Sequence, residues 1–276
     1  MEMRLPDWAR AVIAISAVMQ LGFGATLLYD AGEIAAIWPW SLPPLSARLL
    51  GASALVSVPL ALLAVAVNRF GPAMIPLVMM LTYRVLQLTA GLIHIDRFQA
   101  GSLVTLNYFG GGALMLVVYA YCLWAGLAGR LPAARAGAPM ANTLLWRPSS
   151  SLSMVLPLLS AAYVGLGLYF LIAGGASKDL WIDAGGLTPL TARLFSSPLI
   201  GLGFGLFLCS RAIDWRAVAI PAAGMATIGI LGTLALFLDR SSLVLPTPVS
   251  WLVAATPPIL LIVGAMLIGS RLQRVS

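Results

Sequence analysis

The chain has 276 residues, of which 61% are hydrophobic and only 9% charged, with a mean hydropathy of +0.98. A soluble globular protein carries about 25% charged residues, so polar side chains are too scarce here to cover a water-facing exterior, and an ordinary soluble fold is excluded. The net charge of +7 and pI near 10 do not point to nucleic acid, because the basic residues stand singly at the ends of apolar runs instead of forming a phosphate-tracking patch.

A bilayer core about 30 Å thick needs about 20 apolar residues in a helix, and a backbone with no water partners must satisfy its own hydrogen bonds. Eight runs qualify. The first, 8–28, follows Arg4 and Arg10. It is long, and no A-x-A-like cleavage site follows it, so it reads as a span and not as a signal peptide. The next three are 48–67, 72–95 and 103–127; a stretch with three arginines at 128–151 then links them to 152–173, 190–210, 217–238 and 249–268. In the last of these Pro257-Pro258 deletes two backbone donors, which predicts a kink or break whose freed carbonyls must face protein or water. The expected fold class is all-α, an integral membrane bundle of eight transmembrane helices.

Short matches recur in order at nearly one spacing. Gly22-Phe23-Gly24 answers Gly165-Leu166-Gly167, 143 residues on, and Pro44-Leu45-Ser46-Ala47-Arg48-Leu49 answers Pro189-Leu190-Thr191-Ala192-Arg193-Leu194, 145 on. Ile75-Pro76 answers Ile220-Pro221, and Asp96-Arg97 answers Asp239-Arg240. Four collinear matches predict a duplication: a first four-helix unit at 1–127, a cytoplasmic linker at 128–151 and a second unit at 152–276. Because four spans separate equivalent points, the two units are expected to be parallel repeats.

Topology follows from the basic residues. With the N-terminus in the cytoplasm, ten basic residues lie inside (Arg4, Arg10, Arg69, Arg130, Arg135, Arg147, Arg211, Arg216, Arg271, Arg274) and five outside (Arg48, Arg97, Lys178, Arg193, Arg240). That is the positive-inside pattern; a multi-pass protein of the cell membrane with both termini cytoplasmic is expected.

The loop Trp38-Pro39-Trp40-Ser41-Leu42-Pro43-Pro44-Leu45-Ser46-Ala47-Arg48 resembles a loop of uncharacterised bacterial multi-spanning membrane proteins. The resemblance covers this loop and a weaker copy at 181–193. It implies a multi-spanning topology and no activity.

The chemical inventory excludes more than it suggests. His94 is the only histidine, which removes bis-histidine haem and multi-histidine metal sites. Cys122 and Cys209 lie in apolar runs without paired spacing and read as buried hydrophobes. There is no GxSxG elbow, P-loop, intramembrane lysine or mid-span carboxylate. No cofactor, metal or nucleic-acid partner is expected, and no enzymatic activity.

Four features carry information about a site. Arg48 and Arg193 recur at the outer starts of the second and sixth spans, with Ser46 and Thr191 as expected N-caps; a cation there opposes the helix dipole. Asp96 and Asp239 are the expected partners, Arg48 with Asp96 and Arg193 with Asp239, one pair per unit. Trp38, Trp40 and Trp181 read as interfacial anchors, and Gly201 and Gly205, like Gly110-Gly111-Gly112, as close helix packing. The third span departs from its copy: Arg84, Gln87, Gly91 and His94 share a stripe about 80° wide, whereas the equivalents of Arg84 and Gln87 are Gly229 and Gly232.

The reading these features support is a protein that binds or transports an anionic or amphiphilic small molecule or lipid at Arg84, Gln87 and His94, with the lipid bilayer as its surroundings. A non-catalytic accessory subunit of a membrane complex is the alternative, in which Arg84 is a helix tie and a membrane-protein partner co-purifies. An intramembrane lipid-modifying enzyme comes third, for want of catalytic groups. Single-cysteine labelling tests the topology: Ser149→Cys should react only from the cytoplasmic side and Ser177→Cys only from outside, and the reverse pattern would overturn the orientation.

Overall fold

Prolines mark where several of these helices begin, and glycines set how closely they approach. The computed structural model describes residues 3–33, 38–40, 42–133, 149–176 and 181–270. Among them are eight helices long and apolar enough to cross a membrane. They are α1 (Asp7–Tyr29), α2 (Pro44–Val67), α3 (Phe70–Ile93), α4 (Leu103–Leu127), α5 (Ser150–Ala173), α6 (Pro189–Arg211), α7 (Trp215–Leu238) and α8 (Pro248–Gly269). No strand occurs among the described residues beyond isolated bridges from Met3 to Ala133 and Asp183 to Leu243. The protein is all-α and multi-spanning, as its composition requires. Most of the expected linker, including Arg135 and Arg147, lies outside the described residues, as do Lys178, Arg271 and Arg274.

The expected boundaries hold within two residues except at α2. This helix starts four residues early because Pro44 takes its first position, where a missing N–H costs nothing. Arg48 therefore sits a full turn inside α2. Ser46 and Thr191 are not N-caps; those positions belong to Pro43 and Thr188. The eighth helix is also unlike its expectation, running unbroken through Pro257 and Pro258. It lies against α7 and away from Arg84, so its carbonyls do not cap the arginine.

Helices pair in sequence at the periphery and cross over at the centre. α1 packs on α2, α5 on α6, α4 on α3 and α8 on α7, while α2 also lies against α7 and α3 mainly against α6. The central layer thus alternates between residues before and after the linker, and both hydrophobic clusters draw on both sets. Glycine makes the crossings close. A Cβ on Gly24 would stand 2.9 Å from the Gly51 carbonyl and 2.7 Å from Leu55; one on Gly167 would stand 3.1 Å from the Ser196 carbonyl and 2.6 Å from Ile200. Gly201 and Gly205 of α6 both rest on Met79 of α3, which is the packing role their spacing suggested.

At the end expected to face the cytoplasm, termed inner and its opposite outer, the N-terminal segment is pinned: the Phe70 amide donates to the Met3 carbonyl and the Arg4 amide to the Pro132 carbonyl, both at 2.9 Å. Trp8 and Trp124 are exposed at this end, Tyr29 and Trp251 at the other, a pair of aromatic belts at the membrane boundaries.

Two glycines two residues apart separate packing from propensity. Gly24→Leu should cost about 1–3 kcal/mol by overpacking, lowering the melting temperature in detergent. Gly22→Leu, where nothing lies within 4 Å, should change stability by less than about 0.5 kcal/mol.

Candidate functional site

A helix that carries an arginine into hydrocarbon must give its guanidinium somewhere to go. On α3, Arg84 lies about 14 Å below the outer end of the helix at 1.5 Å per residue, and it is only 5% exposed. Its Nη1 donates to Gln87 Oε1 at 2.6 Å, and its Cζ stands 5.4 Å from the Tyr83 ring. The ion pairs among the described residues do not include it. Arg84 and Gln87 instead line a cleft between α1, α3 and α4 with about 990 Å³ of empty space, counting its open mouth.

The cleft's outer end is roofed by rings. Phe23, Trp38, Trp40, Phe98 and Tyr108 form a chain with successive centroids 4.8–5.3 Å apart, and Phe109 leans on the last two. The Trp38 Nε1 is buried without a hydrogen-bond partner among the described residues. Tyr108 belongs to a π-helical turn, Asn107–Gly111, a type of irregularity common at functional sites. Its hydroxyl donates to the Gln87 carbonyl, and its ring occupies the space a side chain at Gly91 would need. Gly110-Gly111-Gly112 therefore shapes this turn in addition to thinning the helix: Asn107, Gly111 and Gly112 all line the cleft. On the side facing away from the bundle, α1 and α4 barely touch, and the rim residues Ile15, Met19 and Leu114 are exposed. The mouth opens sideways, toward lipid.

The corresponding region of the second half is shut. A Cβ on Gly229 would lie 2.5 Å from the Leu261 amide, and one on Gly232 2.8 Å from Pro257. Where α3 carries Arg84 and Gln87, α7 lets α8 come into contact. A smaller, almost wholly apolar cavity of about 550 Å³ remains there, walled by Phe170, Trp181, Phe195, Leu199 and Val253 among others. Between the two lies a third cavity of about 420 Å³, lined by Ser53, Ser57, Tyr83, Arg84, Pro198 and Leu202.

The outer-face pairings differ from those expected. Arg48 Nε donates to Asp239 Oδ2 at 2.8 Å, across the halves, and its Nη1 reaches the Leu28 and Tyr29 carbonyls at the end of α1. Asp96 pairs instead with adjacent Arg97 at 3.2 Å. Arg193 stands 2.5 Å from His94 Nε2 and packs against Gly174 at the end of α5. The reason is the crossover: α2 lies on α7 and α3 on α6, so each arginine meets the outer end of a helix from the other half. Spacing in the sequence could not tell which helix end each arginine would meet. His94 is likewise removed from the cleft, at the outer end of α3 with Arg193.

Two tryptophans expected at the lipid boundary are interior. Trp40 Nε1 donates to Thr191 Oγ1 at 3.1 Å, and Trp181 Nε1 to Ser46 Oγ at 2.9 Å. Asp183, 3% exposed, was not singled out from sequence. Its carboxylate accepts from the Ser46 amide and hydroxyl at 3.0 and 3.1 Å and from the Gly185 amide at 3.0 Å. The N-terminus of α2 supplies the positive end that such a buried anion needs. Its position two residues after Trp181, in the copied loop, was the available signal. Cys122 and Cys209 are buried and free, and among the described residues no group of His, Cys, Asp or Glu could hold a metal.

No protein-family model, curated protein or solved structure matches the chain. The class defined by fold and cleft is a multi-spanning helical membrane protein with an arginine-bearing cavity open to one side.

Two outcomes follow from the outer-face contacts. In double-mutant cycles, Arg48→Ala should cost about 2 kcal/mol and couple to Asp239→Ala, but show no coupling to Asp96→Ala; the opposite result would restore the within-half pairing. His94 accepts from Arg193 only while Nε2 is unprotonated. Burial first, then Arg193 and Arg97, hold its pKa below the ordinary value, with Asp96 opposing them. The unfolded chain then binds this proton more readily, so stability is full above about pH 6.5 and is lost as pH falls below it. Thermal melts from pH 7.5 to 5 should show this decline, and His94→Gln should flatten it.

Proposed function

We propose that the protein binds or transports an anionic amphiphile in the cleft between α1, α3 and α4, taken from the surrounding lipid through the mouth between α1 and α4. The observation that carries this reading is Arg84: a buried guanidinium beside Gln87, with no carboxylate partner among the described residues, in a cleft whose surface is mainly apolar. An unpaired cation at this depth costs at least about 2.5 kcal/mol on insertion scales. The ligand's phosphate or carboxylate supplies the missing charge through the bidentate geometry that guanidinium favours. The aromatic roof blocks the direct route to the outer water phase, so access is lateral. The role is one of binding or transfer and not of catalysis.

The same reading takes the protein as a tandem duplication that diverged at one site. Its support is the pairing of equivalent contacts: Gly24 on Gly51 and Leu55 against Gly167 on Ser196 and Ile200, at the 143- and 145-residue offsets of the sequence matches. One copy kept a polar cleft, and the other became a packing surface. Both termini are placed in the cytoplasm on the basic-residue count.

Arg84→Gln keeps hydrogen-bond donors and removes the charge. Its affinity for dodecyl phosphate, read from quenching of tryptophan fluorescence, should fall about 10- to 100-fold, while the wild type should not bind dodecyltrimethylammonium. Equal dodecyl phosphate affinity in variant and wild type, with raised stability in the variant, would make Arg84 a helix tie and overturn the proposal.

A further inference from the structure

The cleft is the first of three cavities that share walls. Tyr83 and Arg84 line both the cleft and the central cavity, and Ser53, Pro198 and Leu202 line both the central cavity and the apolar cavity of the second half. The three form a row through the middle of the bundle, from the lipid-facing mouth beside α1 to the pocket between α5, α6 and α8. The central cavity sits where the halves meet: Ser53 and Pro198 are 145 residues apart, as are Ser57 and Leu202, and all four line it. Polarity falls along the row. The cleft holds Arg84, Gln87 and Asn107; the far cavity is walled by Phe170, Leu199, Val253 and their neighbours, with Ser53 and Thr256 as its hydroxyls. Both hydroxyls are already used, Ser53 on the Leu49 carbonyl at 2.8 Å and Thr256 on the Leu252 carbonyl at 3.0 Å, so they make no polar demand on an occupant.

We propose that the ligand is a long-chain amphiphile with one anionic group, which meets Arg84 while its hydrocarbon chain passes through the central cavity into the far one. This rests on the reading of Arg84 as an anion site and adds the class and course of the chain. A charge at Arg84 with its chain lying back through the mouth would use only the cleft. The row of mainly apolar space beyond the arginine is what a chain threaded inward fills. Each methylene moved from water into such space tightens binding about fourfold, so chain length is read directly as affinity. Ser53, Pro198 and Leu202, which wall both the central and the far cavity, then favour an unbranched chain over a bulky ring system.

The test uses the wild-type protein in detergent with alkyl phosphates of octyl, dodecyl and hexadecyl length, the longest carrying a diazirine at its end. Affinity should rise at each step, and the photolabel should fall on residues of the far cavity such as Leu199 and Val253. Leu199→Trp, at a partly buried position, and Ser53→Leu, in the wall the central and far cavities share, should flatten the step from dodecyl to hexadecyl. Inorganic phosphate should neither bind measurably nor compete, which separates a lipid headgroup from free phosphate as the source of the anion. Labelling of Ile15 or Leu114 at the mouth, or a dodecyl-to-hexadecyl step that is absent in wild type or unchanged in both variants, would overturn the threaded course. In those cases loss of binding in Arg84→Gln would leave the anion site standing. If Arg84→Gln takes the label as wild type does, both fall together.

Discussion

The structure depends on how the polar groups at the outer starts of α2 and α6 are satisfied. These helices begin among buried side chains, where no water can take up free amides or hydroxyls and where an unmet donor costs about 1–3 kcal/mol. The solution is exchange between halves. Asp183 from the second half receives the Ser46 amide and hydroxyl of the first, Trp181 donates to the same Ser46, and Trp40 of the first half donates to Thr191 of the second. Arg48 does the same for charge: it opposes the dipole of its own helix but bonds Asp239 and the last carbonyls of α1, where a cation is favoured. Because each half holds what the other lacks, the crossover of α2 onto α7 and α3 onto α6 is fixed. The row of cavities along the middle of the bundle is a result of that crossover.

Within this frame one local difference decides where space is left. Gly229 and Gly232 allow α8 to approach α7 until Leu261 and Pro257 occupy the gap. Arg84 and Gln87 at the matching places on α3 line open space beside α4, which carries a π-helical turn at Asn107–Gly111. The same positions thus make a closed contact in one half and a cleft in the other. A side chain with a large desolvation cost and no carboxylate partner among the described residues, placed where the architecture tolerates glycine, turns a packing surface into the wall of a cleft.

Much of this was legible in the sequence. Hydropathy and length gave eight spans because a bilayer imposes one length on every helix, and the absence of glycine at 84 and 87 set α3 apart from α7. The error at α2 came from reading Arg48 as a boundary, when Pro44 had already opened the helix. Pro257-Pro258 was expected to kink or break α8, and the helix runs unbroken through both. What could not be read was partnership. Arg48 and Asp96 have the spacing and sign of a pair, yet spacing cannot tell a contact within a unit from the same contact between units. Trp40 and Trp181 sit in loops and look like boundary residues, but each has an indole N–H directed to a hydroxyl of the opposite half, a three-dimensional fact. His94 shares a helical stripe with Arg84 and still belongs elsewhere, because it lies past the last turn of α3, where the chain turns away.

The exchange at the outer face also bears on how the chain is made. Ser46 waits for Asp183, 137 residues later in synthesis, and Arg48 waits for Asp239, 191 residues later. During that interval the first four helices are already long enough to reside in the membrane, yet their outer ends carry an unanswered cation and open amides. Such a half-finished product is an intermediate that quality-control proteases and chaperones of the membrane can recognise, and it persists until the seventh helix arrives. Insertion of single helices can proceed in order, but assembly waits for the seventh. The order of the gene, and not the speed of folding, then sets the moment at which the protein becomes whole.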